Sequence, residues 1–205
     1  MKFLAIDPAN KDSGYVLMDD YKPIEFDKVD NEYLLKYIDE LLKKHPNCHI
    51  AIEMVASYGL PVGKDVFDTC VFIGRIIEHC NSWSFVYRKD VKLNMCHTMK
   101  GVNDTTVRHS LIDRFAKHDF KTGKGTKNNP DWFYGFKADV WSAYAVGVTF
   151  LDMKGDKNDT KTDWTRHNQE ENNEIAWFLA YCGYFSCVGS ICMCNRLLSL
   201  KWSKK

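Results

Sequence analysis

The chain lacks a charge bias. Its 28 lysines and arginines stand against 27 aspartates and glutamates, a formal net charge of +1. That balance excludes attraction to a polyanion through overall charge, so a nucleic acid would have to be met by a local basic patch. The chain also lacks a zinc pattern. Cysteines fall at 48, 70, 80, 96, 182, 187, 192 and 194, without paired Cys-x-x-Cys units and without a histidine among the last four. The first four lie in apolar or amphipathic segments and read as small buried residues of a reducing compartment, not a disulfide frame. No apolar stretch forms ahead of Asp7 in MKFLAIDPANK, so no secretory signal is expected. There is no internal repeat. There is also no second glycine-rich phosphate loop, which a nucleotide-binding ATPase or a sugar kinase would need beside its first strand turn.

What is present is enough for a core: 205 residues, 45% hydrophobic and 14% aromatic. That length suits one domain of roughly 150 residues with an appendage. Three short strand-like runs open the chain (residues 2–6, 14–18 and 23–29), joined by turn-forming segments such as PANKDSG. Leu34, Leu35, Ile38, Leu41 and Leu42 then recur with helical period. CHIAIEMV is apolar on both faces, as in a sheet interior covered by helices. A helix at residues 64–80, a strand at 83–87, a short helix at 89–96 and a long helix at 104–115 follow, the last capped by Asn103 or Asp104. A Lys/Gly/Asn loop leads to a final helix at residues 137–151. The order predicts an α/β fold whose mixed sheet starts as three antiparallel strands and continues with strands separated by helices.

Three acids occupy telling places. Asp7 closes the first strand, Glu53 lies near the end of the most apolar strand, and Asp139 begins the last helix. Singly they could cap a turn, reach water at an edge, or satisfy a helix dipole. If the first and fourth strands are neighbours, Asp7 and Glu53 stand side by side. Two such carboxylates repel and lose water, so one takes a proton or a cation joins them. A third acid delivered over the same sheet end makes a shared proton insufficient, and hard oxygen donors favour Mg²⁺ or Mn²⁺. Two ions about 4 Å apart would suit phosphodiester hydrolysis.

The pieces FLAIDPANKDSGYVLMD, HIAIEMVASYGLPVGKDVFDTCVFIGRI and GFKADVWSAYAVG resemble the three acidic motifs of RuvC-type Holliday junction resolvases, in detail their divergent bacteriophage versions. The resemblance runs from Lys2 to about Asp152. It implies an RNase H-like fold, a structure-selective endonuclease for four-way or branched DNA, and catalysis assisted by two Mg²⁺ or Mn²⁺ ions. Asp7, Glu53 and Asp139 take the family's first three acidic positions as metal ligands. The family's fourth acid, one helical turn on, is Ser142 here. Asp152, thirteen residues after Asp139 and about 20 Å away at helical rise, is too far to replace it. Lys92 matches a lysine that the family places near the active site. A further lysine has no clean match, Lys100 being the nearest cation. Tyr58 neighbours the position of a base-stacking aromatic. The helix at 64–80 matches the family's dimer interface, which suits two symmetric cuts.

Basic residues concentrate in two places, at Arg88, Lys89 and Lys92 and in the loop KHDFKTGKGTKNNPDW with Lys117, Lys121, Lys124 and Lys127. Together with Lys64 and Lys100 they are the expected DNA contacts. A branched-DNA-binding protein without cleavage is the non-enzymatic alternative, with Ser142 as its mark. The nuclease domain is expected at residues 1–152, a polar linker at 153–174 and a hydrophobic extension at 175–205. Residues 175–194 carry no charge over twenty positions and could be a membrane helix, a docking helix or a non-native extension. Basic residues after that segment and acids before it would send the nuclease away from DNA if it spanned a membrane, so the cytoplasm of a bacterial host is expected.

Overall fold

A computed structural model describes residues 1–56 and 61–159. Strands β1 (Lys2–Asp7), β2 (Asp12–Asp19) and β3 (Lys22–Asp30) are followed by α1 (Asn31–Lys44), β4 (His49–Met54), α2 (Lys64–Glu78), β5 (Trp83–Tyr87), α3 (Arg88–Cys96), α4 (Asp104–Phe115) and α5 (Ala138–Asp159). The sheet order is β3-β2-β1-β4-β5. β1, β2 and β3 form an antiparallel meander, while β1–β4 and β4–β5 pair in parallel. This is the α/β, RNase H-like arrangement expected from the sequence.

The burial pattern explains the order. β1 is buried on both faces from Phe3 to Ile6, as a central strand must be. Phe3 and Ala5 face a core built with α3, α4 and α5, whereas Leu4 and Ile6 face a core built with α1 and α2. β3 is mostly exposed, carries Pro23 and forms one edge. α5 crosses the central strands so closely that a Cβ on Gly147 would stand 2.2 Å from the sulfur of Met18.

Local signals set the helix starts. The Asp30 side chain accepts the backbone N–H of Glu32 at the start of α1. Asn103, and not Asp104, caps α4 by accepting the N–H of Thr106. α5 runs to Asp159, so its helix continues past residue 152 into the segment read as a linker. Cys48, Cys70, Cys80 and Cys96 are all free thiols. The apolar segment 175–194 lies outside the described residues; within them no helix is long and apolar enough to cross a membrane.

Candidate active site

The parallel register pairs Ile6 with Ile52, so the next residues along each strand, Asp7 and Glu53, emerge together at the sheet's end. Their carboxyl groups are hydrogen-bonded to each other. Burial pushes both well above the ordinary carboxylate range; the charge of Asp7 raises Glu53 further, and the charge of Asp139 raises Asp7 while the Arg88 guanidinium pulls it back. The pair therefore holds a proton that a cation could replace.

Asp139 arrives from the first turn of α5. Asp7 pairs across the sheet with Gly14, and the missing side chain of Gly14 makes room for that turn. A Cβ on Gly14 would stand 2.6 Å from the carbonyl oxygen of Asp139. Ser142, one turn on, stands near enough to the Asp7 carboxylate to favour its charged form. All four residues named from the sequence as the acid site thus meet at one end of β1.

Two cations accompany them. Lys28, which pairs with Gly14 on its other side, reaches over the glycine gap and binds Asp139 at 2.6 Å. Arg88, the first residue of α3, stands 3.6 Å from Glu53 and forms a second ion pair with Asp104 at the start of α4. Lys28 could not be found from sequence, because its role depends on the β2–β3 register. Arg88 was expected at the DNA surface; it turns inward, only 24% exposed.

The site matches a hard divalent ion in kind: oxygen donors, a half-buried carboxylate pair and a third acid beside them. As they stand, no three His, Cys, Asp or Glu side chains among the described residues are grouped to hold a metal. Cations lie against two of these acids, Lys28 on Asp139 at 2.6 Å and Arg88 at 3.6 Å from Glu53.

The other named residues surround this centre. Lys92 is half-buried on α3, one turn after Arg88 and therefore on the same helix face. Lys64 is exposed at the start of α2, 4.0 Å from Asp68. That helix start is tied to the loop after β1 by Asn10, which donates to Asp65 at 2.8 Å. Lys89 is exposed and lies over the Tyr87 ring at 5.5 Å. Lys100 is exposed after α3. Tyr58 lies outside the described residues.

The lysine loop is more ordered than its composition suggests. The Asp131 carboxylate, with no exposed side-chain surface, accepts the backbone N–H groups of Lys117, His118, Asp119 and Trp132. Burial works to raise its pKa, but those bonds hold it well below the usual range. Asp119 gathers a second set of donors from Lys121, Thr122 and Gly125. Trp132 anchors the loop by donating to the Tyr144 hydroxyl at 3.0 Å. Lys117, Lys121 and Lys127 point to solvent from this frame, and Lys124 is half-buried.

Asp152 belongs to a different network at the opposite end of the sheet. Arg114 donates to it twice, at 2.6 and 2.8 Å, and Asn94 and Tyr21 each donate at 2.7 Å. These groups line a cavity of about 680 Å³. Its central carboxylate is already satisfied by protein donors.

The structure of Thermus thermophilus RuvC in complex with a Holliday junction substrate superposes on this chain with a TM-score of 0.54 at 10% identity, over 75% of this chain and 95% of that one. The chain has the RuvC fold. A second Thermus thermophilus RuvC structure aligns at a TM-score of 0.49 and 15% identity, covering 76% of this chain and 97% of that one. No protein-family model matches the sequence, and no curated protein matches it. The likeness to RuvC is thus one of fold, and the chemistry has to be argued from the residues themselves.

Proposed function

We propose that this protein is a divalent-metal-dependent endonuclease that cuts branched DNA such as four-way junctions. The observation that carries the reading is the β1–β4 pairing, which sets Asp7 against Glu53 at one sheet end and lets α5 bring Asp139 and Ser142 to the same point. Asp7, Glu53 and Asp139 would hold the Mg²⁺ or Mn²⁺. A divalent ion there supplies Lewis acidity, which lowers the pKa of a water and offsets charge on the phosphate.

The chain's own groups have complementary tasks. Ser142, beside Asp7, works against burial to favour the ionised carboxylate. Lys92, on the face of α3 that Arg88 shares, offers a cation to the scissile phosphate. The hydrogen-bonded loop presents Lys117, Lys121, Lys124 and Lys127 to flanking phosphates, and Lys64, Lys89 and Lys100 extend the basic rim. Tyr58 is the candidate for base stacking. A solved RuvC-fold structure with a Holliday junction bound gives the substrate class its support.

A homodimer through α2 completes the reading. Phe67 is 59% exposed and Val71 is 66% exposed, and Gly74 continues the same face with open space at its Cβ position. A two-fold axis there would present two acid sites to the two strands of a symmetric junction.

A second reading is binding without cutting. It is favoured by the ion pairs of Lys28 and Arg88 to the acids and by Ser142 in place of a fourth carboxylate. One experiment separates the two: labelled junction, duplex and RNA–DNA hybrid incubated with wild type and Asp7→Asn, with and without Mg²⁺ or Mn²⁺. Wild type should cut the junction only with metal, and Asp7→Asn should lose at least about 100-fold in rate. Asp7→Asn cutting at the wild-type rate would refute the mechanism. Tight junction binding by wild type with no cleavage in either metal would establish the second reading.

A further inference from the structure

The aromatic side chains at and beyond the end of α4 are treated in two ways. Phe115, Trp132, Phe133 and Phe136 pack against one another and against Tyr144. Phe120 is left outside this cluster. It is 61% exposed and joins no aromatic pair among the described residues.

Its backbone is fixed all the same. Asp119, just before it, donates its N–H to Asp131 at 2.7 Å. The Asp119 carboxylate accepts the N–H of Lys121, just after it, at 3.2 Å, and those of Thr122 and Gly125 at 3.0 and 2.9 Å. Behind the turn, Gly123 lies so close to Phe133 that a Cβ there would stand 2.7 Å from the ring. A ring presented from so fixed a frame has little freedom left to lose when something covers it. The frame also leads to the acid centre along the chain, since α5 begins at Ala138, one residue before Asp139.

The surroundings decide what covers the ring. Asp119 and Asp131 spend their carboxylates on backbone N–H groups inside the loop. The charge that the loop turns to water is therefore that of Lys117, Lys121 and Lys127. An apolar face among cations suits a nucleotide, whose base offers a flat π face and whose phosphate offers an anion. A base within a duplex has both faces covered by its neighbours, so the ring can take only one that has left the stack.

We propose that Phe120 is a base-stacking residue, which takes an unpaired base at the branch point while the lysines around it hold the flanking phosphates. This rests on the branched-DNA reading above and extends it. The loop that supplies phosphate contacts also distinguishes a branch from a continuous duplex, at a residue separate from Tyr58.

The test measures binding by the full chain without divalent metal, so that cleavage does not enter. The probes are a four-way junction and a fully paired duplex of the same length. Wild type should prefer the junction. Phe120→Ala should weaken junction binding by about 10-fold and leave duplex binding and the salt dependence unchanged, because the lysines remain. Phe120→Trp should bind like wild type, and Phe120→Leu like Phe120→Ala. Thermal denaturation should show each variant folded with Tm unchanged, since the side chain faces solvent. In wild type, 5-iodouracil at the branch point should photocrosslink to Phe120. Phe120→Ala or Phe120→Leu binding the junction like wild type would overturn the stacking role and leave the branched-DNA reading intact. An equal loss on junction and duplex, or branch-point crosslinks that never reach Phe120, would do the same. No preference of wild type for the junction would overturn the branched-DNA reading itself.

Discussion

Replacing Gly14 with alanine would press directly on the acid site. The new Cβ would stand 2.6 Å from the carbonyl oxygen of Asp139 and 2.8 Å from its carbonyl carbon. Ordinary contact begins near 3.4 Å, so the oxygen is about 0.8 Å too close. Both atoms are backbone, and no rotamer change relieves the clash. Either β2 bows or the first turn of α5 lifts. Overpacking of this kind costs about 1–3 kcal/mol, which in a domain of this size lowers Tm by roughly 5 °C. A lift also carries Asp139 away from Asp7, and a misplacement of about 1 Å costs on the order of 100-fold in rate. The assay is junction cleavage in Mg²⁺ well below both melting points, with thermal denaturation alongside. Gly155→Ala is the control, since its Cβ meets nothing within 4 Å and it lies in the same helix. That variant should cleave normally and be as stable or slightly more so. Unchanged cleavage and unchanged Tm in Gly14→Ala would refute the close-approach argument.

Three further expectations follow from other parts of the molecule. Phe67→Glu or Val71→Glu should leave Tm nearly unchanged, because both side chains face solvent, yet convert a dimer to a monomer in sedimentation; a dimer that survives both changes does not use α2. Replacing Lys121, Lys124 and Lys127 by glutamine should flatten the dependence of log K on log salt by about 2 to 3 for junction binding, and an unaltered slope would remove the loop from the DNA surface. His49, hydrogen-bonded to Ser82 and Ser84 and stacked on Phe150, has its pKa lowered by burial, and by Lys154, from 6.5 to about 4. Because the folded value lies below the unfolded one, its contribution is full above pH 6.5 and is lost as pH falls toward 4. Thermal stability of His49→Gln should fall less steeply than that of wild type across this window, and parallel curves would contradict the assignment.

Much of the fold was legible because its signals are local. The helical period of Leu34, Leu35, Ile38 and Leu41 and the unbroken apolar run of β4 need only neighbouring residues to be read. Asp7 and Glu53 stood out together, because two carboxylates at the ends of neighbouring strands repel and need a proton or a cation. The same logic missed Lys28, whose sequence context in EFDKVD is that of any exposed edge strand. It matters because the register places it across Gly14 from Asp7. Arg88 and Asp104, sixteen residues apart, were placed in separate roles, and only the packing of α3 beside α4 makes them partners over Glu53. The lysine loop was read from its cations as a DNA contact, but nothing in KHDFKTGKGTKNNPDW says that Asp131 folds back to collect four N–H groups.

The sequence by itself determined which segments are strands and helices, where the three acids fall on them, and that a serine follows Asp139 by one turn. These follow from periodicity and residue chemistry, which act over a few positions. Tertiary structure alone decided which charges meet. It set Asp7 beside Glu53 through a parallel pairing of strands more than forty residues apart, admitted Asp139 through the gap at Gly14, and gave the acids Lys28 and Arg88 as counter-charges. Electrostatic partners are chosen by distance in space, and distance between strands is fixed by register and packing, which no local pattern encodes.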